Sequence, residues 1–259
     1  MKIMMNGYNG KLGRAIIEAA AEKSEEFSLV VGIDINPAAI NFTFPVVLKP
    51  SDYEEKLDMI IDCSHHSAVD SMLEYANNTK TPIVICTTGH TPEEMNLIKS
   101  YSEKIAIFKS ANMSIGVNLV AELAKKAAIL LKNDFDIEII EKHHNQKLDA
   151  PSGTALMIAD EVSSVFDDGE KPEYIYDRHL VKRARGKKEL GLHAVRGGTI
   201  IGEHEVIFAG TNELISISHS AQSREMFANG ALAAAKFLCG KAPGLYSMKD
   251  LISEITGQM

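Results

Sequence analysis

The sequence predicts an α/β protein: a doubly wound parallel sheet in the first half, then an α+β domain with a mixed or antiparallel sheet. Three observations predict it. Short runs that are apolar throughout alternate with helical segments up to about residue 113, the pattern of strands buried on both faces. Beyond that residue the alternation stops, and three strand-like runs follow one another across short turns bearing glycine. A glycine-rich turn also stands between the first strand and the first helix, where a doubly wound sheet carries a ligand.

Residues 2–5 read as the first strand and 11–23 as the first helix, with Leu12, Ile16 and Ile17 on one face. Residues 27–33 are apolar and β-branched and end at Asp34. Residues 57–61 form a third run, followed by Asp62-Cys63-Ser64, and 67–77 read as a helix. Residues 82–86 and 104–108 are further strands. Between them, Thr91-Pro92-Glu93-Glu94 supplies an N-cap, a proline at the first helical position and acids in the first turn of a helix reaching about Ser102. In the second half, 115–131 is a long amphipathic helix, 135–141 a strand and 152–166 a helix. Residues 190–196, 199–208 and 213–219 read as consecutive strands joined by hairpin-like turns at Gly197-Gly198 and Gly210-Thr211-Asn212. Residues 223–239 form an Ala-rich helix, and 182–188 an exposed basic loop. The expected division gives 1–113 to a dinucleotide and 114–222 to substrate binding and oligomerisation. The C-terminal helical part, 223–259, packs back on the first, and the connections near Met113 and Ser220 are the expected hinges.

Of the 259 residues, 45% are hydrophobic, enough for one large core or two modest ones. The net charge is −8 and there is no basic tail, which argues against nucleic acid as a partner, since that needs a dense Lys/Arg footprint. An acidic chain that binds anions must concentrate positive charge locally. Cys63, Cys86 and Cys239 form no CxxC pair, so no metal site is indicated, and the first two are expected to be small buried residues. No apolar stretch reaches the roughly 20 residues of a membrane span. An odd cysteine count, and an opening that leads straight into a strand-like run, predict a cytoplasmic setting.

Gly7-Tyr8-Asn9-Gly10-Lys11-Leu12-Gly13 is the turn after the first strand, spaced G-x-x-G-x-x-G, one residue off the usual dinucleotide fingerprint. Glycines there permit a tight turn and close approach to a pyrophosphate, and the helix start offers free N–H groups. A plain glycine turn explains the bare spacing equally well. The position, and Asp34 at the end of the second strand, favour a nucleotide. Asp34 suits both ribose hydroxyls of NADH, and Ile35 and Asn36 leave no arginine there for a 2′-phosphate, although Lys11 and Arg14 stand by the turn. NADH and NADPH are both admitted, with NADH favoured. Thr87-Thr88-Gly89 and Ser64-His65-His66 follow later strands and are candidates for the nicotinamide side. His65 and His66 themselves read as a helix-capping or exposed pair with no evident acidic partner, rather than as catalysts or metal ligands.

The densest chemistry is Glu141-Lys142-His143-His144-Asn145-Gln146-Lys147-Leu148-Asp149-Ala150-Pro151-Ser152-Gly153-Thr154. His143, His144 and Lys147 place up to three positive charges within five residues. Asp149 or Ser152 can cap the following helix, whose first turn, at Gly153 and Thr154, presents N–H groups to an anion. Charge-assisted hydrogen bonds of this kind contribute about 1.5–3 kcal/mol each. The cluster suits a small carboxylate-bearing molecule that must also receive a proton. A solvated basic loop is the plain alternative, but it leaves the anion-binding helix start without a purpose.

Glu141 to Ala155 resembles the E-x-H-H-x-x-K-x-D-A-P-S-G-T-A signature of 4-hydroxy-tetrahydrodipicolinate reductases, formerly dihydrodipicolinate reductases. The glycine turn, Thr87-Thr88-Gly89, Ala111-Asn112-Met113-Ser114-Ile115-Gly116-Val117-Asn118, Arg196-Gly197-Gly198 and Gly202-Glu203-His204 agree in order along the chain. The resemblance implies a Rossmann-like first half and a homotetrameric enzyme of lysine and diaminopimelate synthesis. Such an enzyme reduces a cyclic dicarboxylate to tetrahydrodipicolinate with NADH or NADPH. It assigns His143 as proton donor, Lys147 as its partner and carboxylate binder, and His144, Gly153 and Thr154 to the substrate. The glycine turn, Asp34, Thr87 to Gly89 and Ala111 to Met113 fall to the cofactor. Two positions depart from many relatives: His90, where an aromatic or apolar residue is common, and Cys63, where Phe is. Two rivals stand beside this reading: another two-domain amino-acid dehydrogenase, which leaves the His/Lys cluster unexplained, and a non-catalytic NADH sensor, which lacks a visible basic face.

Overall fold

The structure, a computed structural model, describes residues 1–36, 43–167, 169–180 and 182–257. It divides into two compact units, Met1–Ile115 with Arg224–Met259, and Gly116–Ser223. In chain order the elements are β1 (Lys2–Asn6), α1 (Lys11–Ala21), β2 (Ser28–Ile33), β3 (Val46–Val47), β4 (Met59–Asp62), α2 (Val69–Thr79), β5 (Ile83–Ile85), α3 (Pro92–Ser102) and β6 (Ala106–Lys109). Helix α4 (Ile115–Leu131) leads into β7 (Asp136–His143), α5 (Gly153–Ser163), β8 (Glu173–Ile175), β9 (Glu189–Arg196), β10 (Glu203–Ala209) and β11 (Leu214–Ser220). Helix α6 (Glu225–Leu238), β12 (Gly244–Tyr246) and α7 (Met248–Thr256) follow.

The first unit is a parallel sheet in the order β12-β6-β5-β4-β1-β2-β3. Its strands are apolar throughout because both faces are covered. Ile3, Met5, Met59, Ile61, Val84 and Phe108 pack with Ile16 of α1 and the alanines of α6. The alternate residues Met4, Val31, Ile60, Ile83 and Ile85 pack with Met72, Leu73 and Ala76 of α2 and Ile98 of α3. The winding reverses at β1, between β4 and β2, so the carboxyl ends of these strands frame a ligand crevice. Thr91 and Glu94 start α3 with a reciprocal capping box.

The second unit is a mixed sheet in the order β11-β10-β7-β9-β8. One face carries Ile137, Ile139, Leu190, Leu192, Val206 and Phe208 against α4 and α5. The doubly wound and mixed sheets are those the sequence predicts. One expected pairing is wrong. Gly197-Gly198 makes no hairpin, because β7 lies between β9 and β10, parallel to the first and antiparallel to the second. The connection must step across a whole strand, so its glycines bond to the end of β7 and the chain just after it instead: Gly197 N–H to His143 O (2.9 Å) and Asn145 N–H to Gly198 O (3.2 Å). For the same reason the strand expected to start at Thr199 begins only at Glu203. The hairpin between β10 and β11 forms as read.

Two further expectations need correction. Residues 223–259 are not one helix: α6 stops at Leu238, Gly240 turns at φ 76°, β12 joins the sheet beside β6, and α7 follows; residues 258–259 lie outside the described residues. The basic loop is not simply solvated either. Arg185 reaches Glu138 and Asp136 of β7, both at 2.8 Å, and Arg183 reaches Glu189 at 2.5 Å.

Gly230 marks the tightest approach within the first unit. A Cβ there would stand 1.7 Å from the Met113 carbonyl oxygen, so α6 would have to move away. Gly230→Ala is expected to destabilise by about 1–3 kcal/mol, as overpacking does, read from the urea midpoint; an unshifted midpoint would show that the helix has slack there.

Candidate active site

Three segments of the second unit meet at one buried carboxylate: β7 itself, the start of α5 and the end of β9. Glu141 is fully buried on β7. Its Oε2 meets Nδ1 of His143 at 2.6 Å, and its Oε1 accepts the Ser152 N–H at 3.0 Å. Arg196, at the end of β9, grips both oxygens at 2.8 and 2.7 Å and donates also to the Asp149 carbonyl at 2.6 Å. Register explains the meeting: His143 pairs with Arg196 on one side, and Glu141 with His204 on the other. Ser152 is the N-cap of α5, accepting the Ala155 N–H at 3.1 Å, and its hydroxyl meets His204 Nε2 at 3.1 Å. The rings of His143 and His204 lie edge to face, 5.3 Å apart. Lys147 is paired with Asp149 at 2.8 Å.

The electrostatics follow from burial and these partners. Burial pushes the Glu141 carboxyl up, but Arg196 and His143 together outweigh it and hold it below the usual carboxylate range. Burial pulls His143 down; Glu141 opposes this, Lys147 and Arg196 add to it, and the net value lies below that of a free imidazole. Burial, with His143 beside it, pulls His204 down to about 4, so it stays neutral near pH 7. Gly202 leaves room beside His143: a Cβ there would come 3.1 Å from His143 Nε2.

In the first unit the glycine turn is tightly built. Gly7 has φ 78°, and a Cβ on it would lie 2.6 Å from the Cys63 carbonyl; one on Gly13 would lie 2.2 Å from the Gly7 carbonyl. With Gly10 as N-cap, α1 starts without a side-chain capping bond among the described residues, which leaves its first N–H groups for a ligand. Asp34 accepts N–H bonds from Asn9 (3.1 Å) and Asn36 (2.9 Å), and Arg14 is held on Asn9 by its carbonyl (3.1 Å) and side-chain oxygen (2.6 Å). Beside them is a cavity of about 1030 Å³, lined by Gly7, Gly10, Asp34, Asn36, Ser64 and His65 among others. The turn, the acid and this volume fit an adenine dinucleotide.

The first 113 residues match the family described as dihydrodipicolinate reductase, N-terminus, and residues 116–252 match its C-terminus. The chain belongs to the dihydrodipicolinate reductase family. The 4-hydroxy-tetrahydrodipicolinate reductase of Caldanaerobacter subterraneus subsp. tengcongensis is 50% identical, with 98% of this chain and 99% of that one covered. That of Clostridium tetani is 47% identical over 98% and 97%. The solved dipicolinate-bound dihydrodipicolinate reductase from Paenisporosarcina sp. TG-14 shares the fold, with a TM-score of 0.80, 24% identity and 95% and 97% coverage.

For a member of the dihydrodipicolinate reductase family, the residues read from sequence fall into two groups. His143, Lys147, Gly153 and Thr154 lie on β7, the loop after it and the start of α5, with the His144 carbonyl accepting the Lys147 N–H at 3.2 Å. Gly7, Asn9, Gly10, Lys11 and Gly13 lie at the glycine turn, with Asp34 after β2 bonded to it through Asn9, whereas the Tyr8 side chain is wholly buried against Phe44 and Gly32, and Leu12, in the first turn of α1, packs on the core. Thr87 is buried and bonds Asp62 at 3.0 Å; Thr88 and Gly89 are exposed after β5. After β6, Asn112 accepts the Ser114 N–H at 2.8 Å, Ala111 is exposed and Met113 is in the core. His65 caps a short turn, and His66 has an acidic partner that the sequence reading missed, Glu94 at 2.9 Å. His90 lies 3.2 Å from the Lys109 ammonium, which also donates to Thr87 O at 3.0 Å. Sequence reasoning gave no role to Asp62, which ties Asn6 (2.8 Å), Ser64 (2.6 Å) and Thr87 together across three strand ends. Its one signal is a charged residue closing an apolar run. Among the described residues no group of three or more His, Cys, Asp or Glu is placed to hold a metal ion.

Proposed function

We propose that this oxidoreductase reduces 4-hydroxy-tetrahydrodipicolinate to tetrahydrodipicolinate with a nicotinamide cofactor, on the route to diaminopimelate and lysine. The observation that carries the reading is the buried Glu141–His143 pair, with Lys147 near enough to act on the imidazole. The cofactor, when bound at the Gly7 turn, supplies a hydride to C4 of the unsaturated ring. His143 supplies from Nε2 the proton that the enamine carbon then needs. Lys147 leaves Asp149 for one ring carboxylate, and the first turn of α5 at Gly153, which gives up its bond to the Asp149 carboxylate, and at Thr154 receives the other with His144. Dipicolinate, which the Paenisporosarcina protein binds according to its name, is proposed as an unreactive occupant of the same cluster here. The test is to supply the condensation product and follow oxidation of NADH and NADPH separately. A chain that binds either cofactor yet leaves the ring untouched refutes the reading.

NADH is the proposed preference, because the Asp34 carboxylate has lone pairs left for both ribose hydroxyls and repels a 2′-phosphate. Asp34→Ala is expected to raise KM for NADH about tenfold and KM for NADPH much less, since it removes charge-assisted hydrogen bonds made only to the diol. Equal effects on the two cofactors would shift the discrimination to Arg14. A cytoplasmic homotetramer is proposed as the working form. The face of the mixed sheet away from its helices sets Ile140, Val195, Ile207 and Leu214 among Glu138, Lys142, His193, Glu203 and Glu205, and this mixed surface is the proposed seat of a partner copy. Light scattering decides that point, a monomer being the contrary result. No described helix is long and apolar enough to cross a membrane.

A further inference from the structure

We infer that Glu141 is the positioning residue of the proton step: one buried carboxylate fixes His143 through Nδ1 and anchors the start of α5, leaving Nε2 as the only nitrogen that can give up a proton to the ring. The inference rests on reading His143 as the acid and goes beyond it. A carboxylate can only accept, so at 2.6 Å His143 must present N–H at Nδ1. The neutral ring therefore carries its hydrogen toward Glu141, and the acid form adds the transferable one at Nε2. In the step, the Nε2–H bond breaks, the electron pair of the enamine double bond forms the new C–H bond, and the ring is left neutral with Nδ1–H still on Glu141. Water reprotonates it.

A bare carboxylate is a poor neighbour for a doubly negative ring. Arg196 removes that objection by holding both oxygens, so Glu141 orients the imidazole without presenting net charge to the substrate. The Ser152 N–H on Oε1 gives the same residue a second purpose. It sets the first turn of α5, and so the N–H groups proposed for the substrate, relative to the acid. Among the described residues, the charged or titratable groups that bear on His143 are Glu141 on its own strand, Arg196 on β9, Lys147 with its partner Asp149 in the loop, and His204 on β10, which stays neutral.

The experiment compares wild type, Glu141→Gln and His143→Ala. Glu141→Gln is expected to lower kcat about a hundredfold with NADH affinity unchanged, and to move the fall of kcat/KM to lower pH, because the group that favours protonated His143 is gone. Nitrogen NMR of wild-type His143 is expected to show the Nδ1–H tautomer in the neutral form. That reading needs no variant and decides the matter should Glu141→Gln fail to fold. A Glu141→Gln enzyme within about twofold of wild type and with its pH profile, or a neutral wild-type ring protonated at Nε2, overturns the inference. If His143→Ala is inactive while Glu141→Gln is unimpaired, only the inference falls. If His143→Ala turns over like wild type, the reading beneath it falls as well.

Discussion

His143→Ala lowers kcat by about 10²- to 10⁴-fold, the range that a positioned general acid contributes, while NADH binding stays as in wild type. The pH dependence carries more information than the rate. An acid must hold its proton before it can give it, so activity is present below its pKa and is lost as pH rises through it. In the free chain that pKa is depressed, because burial outweighs Glu141 and is joined by Lys147 and Arg196. The fall of kcat/KM with rising pH therefore begins below the ordinary imidazole value of about 6.5, whereas in kcat the bound dicarboxylate moves it up. Both limbs vanish in the variant. Profiles of wild type and His143→Ala from pH 5 to 9 check this, and a variant that keeps the rate or the limb removes His143 from the mechanism.

Arg196→Ala loses about 3–5 kcal/mol of stability, because a fully buried carboxylate is left with its strongest partner gone. The sign with pH is specific. In wild type the Glu141 carboxyl is held below its unfolded value, so its contribution is present above about pH 4.3 and is lost as pH falls through the lower folded value. Without Arg196 the effect of burial dominates, the carboxyl rises, and acidification relieves the strain, so the deficit narrows toward low pH. His204 works in the background of both proteins. Its folded pKa of about 4 lies below the unfolded value, so stability falls as pH drops from about 6.5 toward 4. The difference between the two urea curves cancels that shared loss. A deficit under about 1 kcal/mol at pH 7 would mean that water or His143 already satisfies Glu141.

The parallel sheet was legible because its strands are covered on both faces and its helices carry their own start signals, as at Thr91 and Glu94. The order β9-β7-β10 was not, since a glycine turn reads the same whether it closes a hairpin or steps over a strand, and only the non-local pairing of β7 decides which. The site divides in the same way. His143, Lys147, Ser152, Gly153 and Thr154 are neighbours in sequence, and their types state their chemistry. Arg196 lies 55 residues from the carboxylate it neutralises, so its role is written only in the register of β7 against β9. Tyr8 sits among glycines that face a ligand, yet its own ring fills the core, because the residue after the φ 78° turn at Gly7 points back toward Gly32. The basic loop looked solvated because its acids, Asp136 and Glu138, belong to a distant strand.

The most direct test is a nitrogen NMR titration of His143 with and without saturating dipicolinate. A cationic pocket that grips a ring dianion beside its acid requires the His143 pKa, depressed in the free chain, to rise when the dicarboxylate binds. An identical titration in the two states, with dipicolinate shown to be bound, would contradict the account.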